Sequence, residues 1–159
     1  MQIRLKNLID EDFSNFKLPS MFLGFPKCTF KCEKEAGVMV CQNSSLAVAP
    51  TIEVSIEDIF KRYQDNELSK AIVCGGLEPF DTFEELYAIV KYFREHGVLD
   101  KFVIYTGYMQ EEKMDEVGKL AELGGVIVKF GRFIPNSEKR FDEVLGITLA
   151  SKNQFAVEF

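Results

Sequence analysis

Two hydrophobic rhythms alternate along the chain, and together they outline its elements. Met21 to Phe25 is an apolar run that stops at Pro26, the signature of a buried strand. Ile56, Ile59, Phe60 and Tyr63 then recur at helical spacing, with Ser55 placed to cap the helix and Asp58 as its capping-box partner. Ala71 to Cys74 reads as the next strand, ending at Gly75 and Gly76. A second helix carries the stripe Phe83, Leu86, Tyr87, Val90 and Phe93, with Asp81 or Thr82 as cap, Glu84 or Glu85 completing the box, and Gly97 as the stop. Phe102 to Tyr105 is a further strand, Gln110 to Leu123 a third helix closed by Gly124 and Gly125, and Val126 to Val128 another strand. Strands alternating with amphipathic helices predict an α/β fold with a mainly parallel sheet and right-handed crossovers.

In a parallel sheet or barrel the working site collects in the loops that leave the carboxyl ends of the strands. Here those loops are residues 27–43, 75–79, 106–108 and 129–133, so all four are expected on one rim. No linker, low-complexity segment or long repeat divides the chain. A single domain over residues 1–159 is expected.

Composition narrows the chemistry. At 159 residues a core can hide roughly 70% of the surface exposed on unfolding, so disulfide staples are not needed for folding. A net charge of −6 disfavours a protein built to follow a phosphate backbone, and direct nucleic-acid binding is not expected. The segment Met1 to Asp10 lacks the apolar core of a secretory signal, and the uncharged stretch Ala36 to Ile52 is broken by Gln42, Asn43, Ser44, Ser45 and Pro50. These features predict a cytoplasmic chain with no membrane contact. In a reducing compartment, cysteines serve more often as metal ligands, catalytic thiols or core residues than as disulfides.

Three of the four cysteines, Cys28, Cys32 and Cys41, lie within fourteen residues on an irregular loop. Three thiolates so spaced can wrap one inorganic centre. Zinc prefers a closed tetrahedral set, for which Cys74 and His96 are the remaining candidates. An iron–sulfur cluster held by three cysteines keeps one iron open to a small molecule. Spacing alone leaves a cluster, zinc and unmetallated thiols all open. Cys74 reads as a buried residue of its strand, and His96, beside Gly97, as a cation at the negative end of a helix. Gly75 to Pro79 combines glycines, which let a ligand approach backbone N–H groups, with Glu78, a carboxylate able to meet an ammonium or hydroxyl.

Taken together, these segments resemble the radical S-adenosylmethionine enzymes, and within them the activating proteins of anaerobic ribonucleotide reductase. Cys28, Cys32 and Cys41 with Asn43 look like the family's three-cysteine motif, although eight residues separate the last two cysteines where the family usually has two. Gly75-Gly-Leu-Glu-Pro79 is similar to the element that holds the amino group of S-adenosylmethionine, with Leu77 inserted. Tyr105 to Tyr108 resembles a strand-end motif of the activators. Gly131 to Phe133, Leu145-Gly146 and Ala150 to Gln154 resemble their carboxyl-terminal signature, with Lys129 where an acid usually stands.

The resemblance implies a radical-SAM-type partial (β/α) barrel of about five units with a cluster loop over residues 26–45. It implies a [4Fe-4S] cluster on Cys28, Cys32 and Cys41 whose open iron chelates S-adenosylmethionine. Asn43, Gly75, Gly76, Glu78, Thr106 and Tyr108 are the implied cofactor contacts, and Phe30 either covers the cofactor or plugs the loop. The implied partners are a flavodoxin or ferredoxin as electron donor and a large glycyl-radical enzyme such as an anaerobic ribonucleoside-triphosphate reductase. A radical enzyme acting on another protein, a peptide or a small molecule is the alternative, and a non-catalytic zinc-binding interaction module is a second.

Overall fold

A computed structural model describes residues 1–27 and 48–159. Its centre is a six-stranded sheet. In chain order the strands of the sheet are β2 (Asn7–Asp12), β3 (Ser20–Phe25), β5 (Ala71–Gly76), β6 (Lys101–Tyr105), β7 (Val126–Phe130) and β10 (Phe155–Glu158). Their spatial order is β10-β7-β6-β5-β3-β2. The four central strands run parallel, and β2 and β10 close the two edges antiparallel. The sheet is mostly parallel, as expected, and it remains open. Among the described residues four of its strands run parallel, against about five βα units expected.

Among the described residues three helices lie between the parallel strands: α1 (Ile56–Asp65), α2 (Phe83–Glu95) and α3 (Met114–Leu123). Ser55 caps α1 as anticipated, its hydroxyl accepting from Asp58 N at 3.0 Å. Two other helix starts depart from expectation. Thr82 occupies the cap position of α2 without a side-chain cap bond, because the chain first makes a 3₁₀ turn over Pro79–Thr82 that is capped by Glu78. The expected third helix is also split, with a 3₁₀ turn at Gln110–Glu112 preceding α3. Glu112 in that turn accepts from Arg132 Nη2 at 2.8 Å.

Strand side chains alternate between the two faces of a sheet, and here the faces are covered differently. Ile72, Cys74, Phe102, Ile104, Val126 and Val128 face the helices in a large apolar core. Phe93 joins it, with its ring edge-on to Phe102 at 5.2 Å between centroids. A small antiparallel pair, β1 (Gln2–Leu5) with β4 (Ile52–Ser55), adds Ile3 and Leu5 to this core. Arg4 ties the pair to α2, donating from Nη2 to Glu85 at 2.7 Å.

Across the sheet, Ala71, Val73, Val103 and Ile127 pack under Phe16, Leu145 and Leu149. The last two flank or belong to the hairpin of β8 (Arg140–Asp142) and β9 (Ile147–Leu149). The buried Asp142 carboxylate holds this hairpin, accepting from Leu145 N, Ala156 N and Arg140 Nη1 at 2.9–3.0 Å. Those bonds and the Arg140 charge outweigh burial and keep the group below the usual carboxylate range.

Candidate functional site

The carboxyl ends of β5, β6 and β7 open into a cavity of about 360 Å³ between the sheet and the hairpin. That volume falls within the range of small-molecule sites. Three of the four rim loops expected from sequence meet in it, contributing Gly75 to Glu78, Thr106 and Gly107, and Lys129, Gly131 and Phe133. Ser14, Asn15 and residues 147–150 line it from the covering side.

Local backbone rules explain the strand ends. Gly76 has φ +81°, and a Cβ there would lie 2.8 Å from Gly24 Cα, so only glycine fits without moving the neighbouring strand. Gly75 faces the cavity beside Phe22, and the missing side chain leaves room there.

Glu78 follows directly. It is 6% exposed, and its carboxylate accepts from Phe80 N at 3.1 Å and Gly107 N at 2.9 Å. These bonds favour the charged form, but burial outweighs them and pushes the carboxyl up to about 7, with the Asp81 charge adding to the rise. Its backbone N–H donates to Lys27 O at 2.6 Å, so the last described residue before the cysteine segment is pinned beside this carboxylate.

Thr106 is 1% exposed and lines the cavity, its hydroxyl accepting from Tyr108 N at 3.0 Å. Tyr108 is not brought to the lining. Its ring is buried under the Lys113 ammonium, and its hydroxyl donates to Asp81 at 2.7 Å. The structure gives it a positioning place behind the rim.

Lys129 and Gln154 are among the cavity residues not named as site residues from sequence. Lys129, 6% exposed, lies 5.5 Å over the Tyr105 ring and donates from Nζ to Gly131 O at 3.1 Å. Gln154 lines the same space. The signal for Lys129 was available: two positions from Ile127 on one strand, it must share that residue's face. Tyr105 closes one side by donating from its hydroxyl to Asn15 O at 2.6 Å. Burial and the Asp12 and Asp142 charges push that hydroxyl upward, so it stays protonated.

Cys28, Phe30, Cys32, Cys41 and Asn43 lie outside the described residues. Cys74 is described and buried, and it faces the helices, away from the cavity. Burial pushes its thiol far up, as suits a core residue. His96 sits at the end of α2, donating from Nδ1 to Tyr92 O at 2.8 Å and stacking on the Tyr92 ring. Among the described residues no group of three or more His, Cys, Asp or Glu could hold a metal ion. Lys27, the last described residue before the cysteine segment, is bonded through its carbonyl to Glu78 of the cavity lining.

What the cavity can do follows from its charges. It presents a carboxylate and an ammonium on strand ends separated by β6, a backbone distance of roughly 10 Å at usual strand spacing. A ligand with both an amino and a carboxylate group matches that pair. Among the described residues no helix is long and apolar enough to cross a membrane.

Residues 20–154 match the family of 4Fe-4S single cluster domains. No curated protein matches the chain. The family match covers most of the sequence, and the protein belongs to the 4Fe-4S single cluster domains.

Proposed function

We propose that this 4Fe-4S domain protein is a radical S-adenosylmethionine enzyme, with its cluster on Cys28, Cys32 and Cys41, that generates a glycyl radical on a large partner enzyme of the anaerobic ribonucleotide reductase type. The reduced cluster, fed by a flavodoxin or ferredoxin, supplies the electron that cleaves S-adenosylmethionine to methionine and a deoxyadenosyl radical able to take a hydrogen atom from a glycine of the partner. The observation that carries the reading is the single cavity in which Gly75, Gly76, Glu78 and Thr106 meet, with Lys27 bonded to Glu78 at its edge.

The chain's own residues bind and orient. Each Glu78 oxygen already accepts one backbone N–H and keeps lone pairs for an ammonium. A carboxyl poised at about 7 becomes ionised when a cation arrives, which couples binding to proton release. Gly75 and Gly76 let the ligand approach the sheet edge, Thr106 adds a hydroxyl, and Lys129 meets the carboxylate. Asn43 is assigned to the same contact set. Positioning and exclusion of water are what a protein contributes when a cofactor carries the hard chemistry.

The test is anaerobic reconstitution of the whole chain. The expected result is a broad iron–sulfur absorption that bleaches on reduction, and equal amounts of methionine and deoxyadenosine from S-adenosylmethionine. Alanine at Cys28, Cys32 or Cys41 should abolish both. Mixing with a reductase and recording a glycyl radical by electron paramagnetic resonance tests the partner. A reduced chain that binds S-adenosylmethionine without cleaving it overturns the enzymatic reading. Full zinc occupancy with no cluster after reconstitution overturns the cluster itself.

A further inference from the structure

The cavity floor is built where two segments 21 to 23 residues apart in sequence meet backbone to backbone. Gly131 has φ +107°, and a Cβ there would lie 3.2 Å from Asn153 O and 3.3 Å from Gln154 Cα. Two carboxamides stitch the segments together. Asn153 donates from Nδ2 to Arg132 O at 2.8 Å. Gln154, 6% exposed, accepts from Ser151 N at 3.1 Å and donates from Nε2 to Gly131 O at 3.3 Å. Gly131 O also receives Lys129 Nζ at 3.1 Å. One carbonyl thus joins the amide of Gln154 to the cavity's buried ammonium.

We propose that Gln154 is a positioning residue: by fixing the Gly131 carbonyl it fixes the Lys129 ammonium in the cavity and so sets the affinity for an anionic group of the ligand. The assignment rests on the reading of this cavity as the S-adenosylmethionine site. It differs from a purely structural role because its effect runs through one other side chain. Without the Gln154 donor the Gly131 carbonyl loses one of the two side-chain donors that fix its direction, and the ammonium that shares it shifts.

A double-mutant cycle on the reconstituted whole chain separates these roles, because coupling between contacting residues appears as non-additivity. Gln154→Met should weaken S-adenosylmethionine binding about tenfold when Lys129 is present, and less than twofold in a Lys129→Met background. Gln154→Leu removes the same donor with another neutral side chain, so it should behave alike and serves if the methionine variant does not fold. Equal losses in both backgrounds, or no loss, overturn the proposal.

A second readout needs no ligand. Hydrogen exchange in either variant should accelerate about tenfold or more over residues 129–134. Acceleration confined to residues 150–155 overturns the clamp. If the unaltered chain does not bind S-adenosylmethionine, the functional reading falls, while the exchange experiment still decides whether Gln154 holds the loop.

Discussion

The two faces of the central sheet are made from the same four strands and have different tasks. On the helix side each strand offers apolar residues along its length, from Ile72 to Cys74 on β5, Phe102 to Ile104 on β6 and Val126 to Val128 on β7. On the hairpin side the composition changes toward the carboxyl ends. Val73 gives way to Gly75, Val103 to Tyr105 and Ile127 to Lys129. One step of two residues turns core into cavity. The lesson is that stability and ligand chemistry are separated by the pleat of the strand, so a site can be polar without opening the core behind it.

The sharpest way to break that comparison is to empty one face. Phe102 is fully buried against Phe93, and Phe102→Ala should cost about 3–5 kcal/mol, whereas Ile127→Val on the other face should cost about 0.5–1.5 kcal/mol. Urea unfolding of both variants decides it, and equal losses would show that the faces share the load. At the boundary between them, Gly76→Ala forces a left-handed residue to carry a Cβ against Gly24 and should cost about 3 kcal/mol. A stability within 1 kcal/mol of the unaltered chain would count against the close approach of β3 and β5.

Protons probe the cavity side alone. The folded chain binds a proton at Glu78 more tightly than the unfolded chain, because its carboxyl is raised from 4.5 to about 7. The contribution is therefore fully present below pH 4.5 and is lost as the pH rises through about 7, a change of about 3 kcal/mol. Glu78→Gln should remove that slope from the stability profile between pH 5 and 8, at a constant cost from placing the amide N–H against one of the two backbone donors. Binding runs the other way. Affinity for S-adenosylmethionine should rise about tenfold from pH 6 to pH 8 in the unaltered chain and stay flat in Glu78→Gln. The smallest effect is a control far from both faces' contacts. Gly118 lies inside α3 with nothing within 4 Å of a built Cβ, so Gly118→Ala should stabilise by about 0.5–1 kcal/mol.

The central strands and helices were legible because their patterns are long enough to show a period. Ser55, Gly97 and Gly124 mark helix ends where a hydroxyl cap or a positive φ is needed, and the structure uses them so. The pairs β1 with β4 and β8 with β9 went unseen. At three or four residues each, they form through their partners and through single groups such as Asp142, which leave no period to read. The cavity was half legible. Glu78 and Thr106 stood out by residue type at strand ends, whereas Tyr108 was turned behind the rim by its bond to Asp81. Lys129 could have been read from its spacing to Ile127 on β7, whereas Gln154 was hidden because its place depends on a contact between distant loops.

Because β10 pairs with β7 and follows residues 151–154 directly, completion of the cavity also has a place in time. During synthesis the Gly131 loop emerges before its clamp, and at about 5–20 residues per second the wait is on the order of one to four seconds. For that interval the β7 edge is unpaired and the cavity floor unfinished, while the parallel core of β3, β5, β6 and β7 is already on hand. The cavity is thus completed only after the strands that frame it have been made.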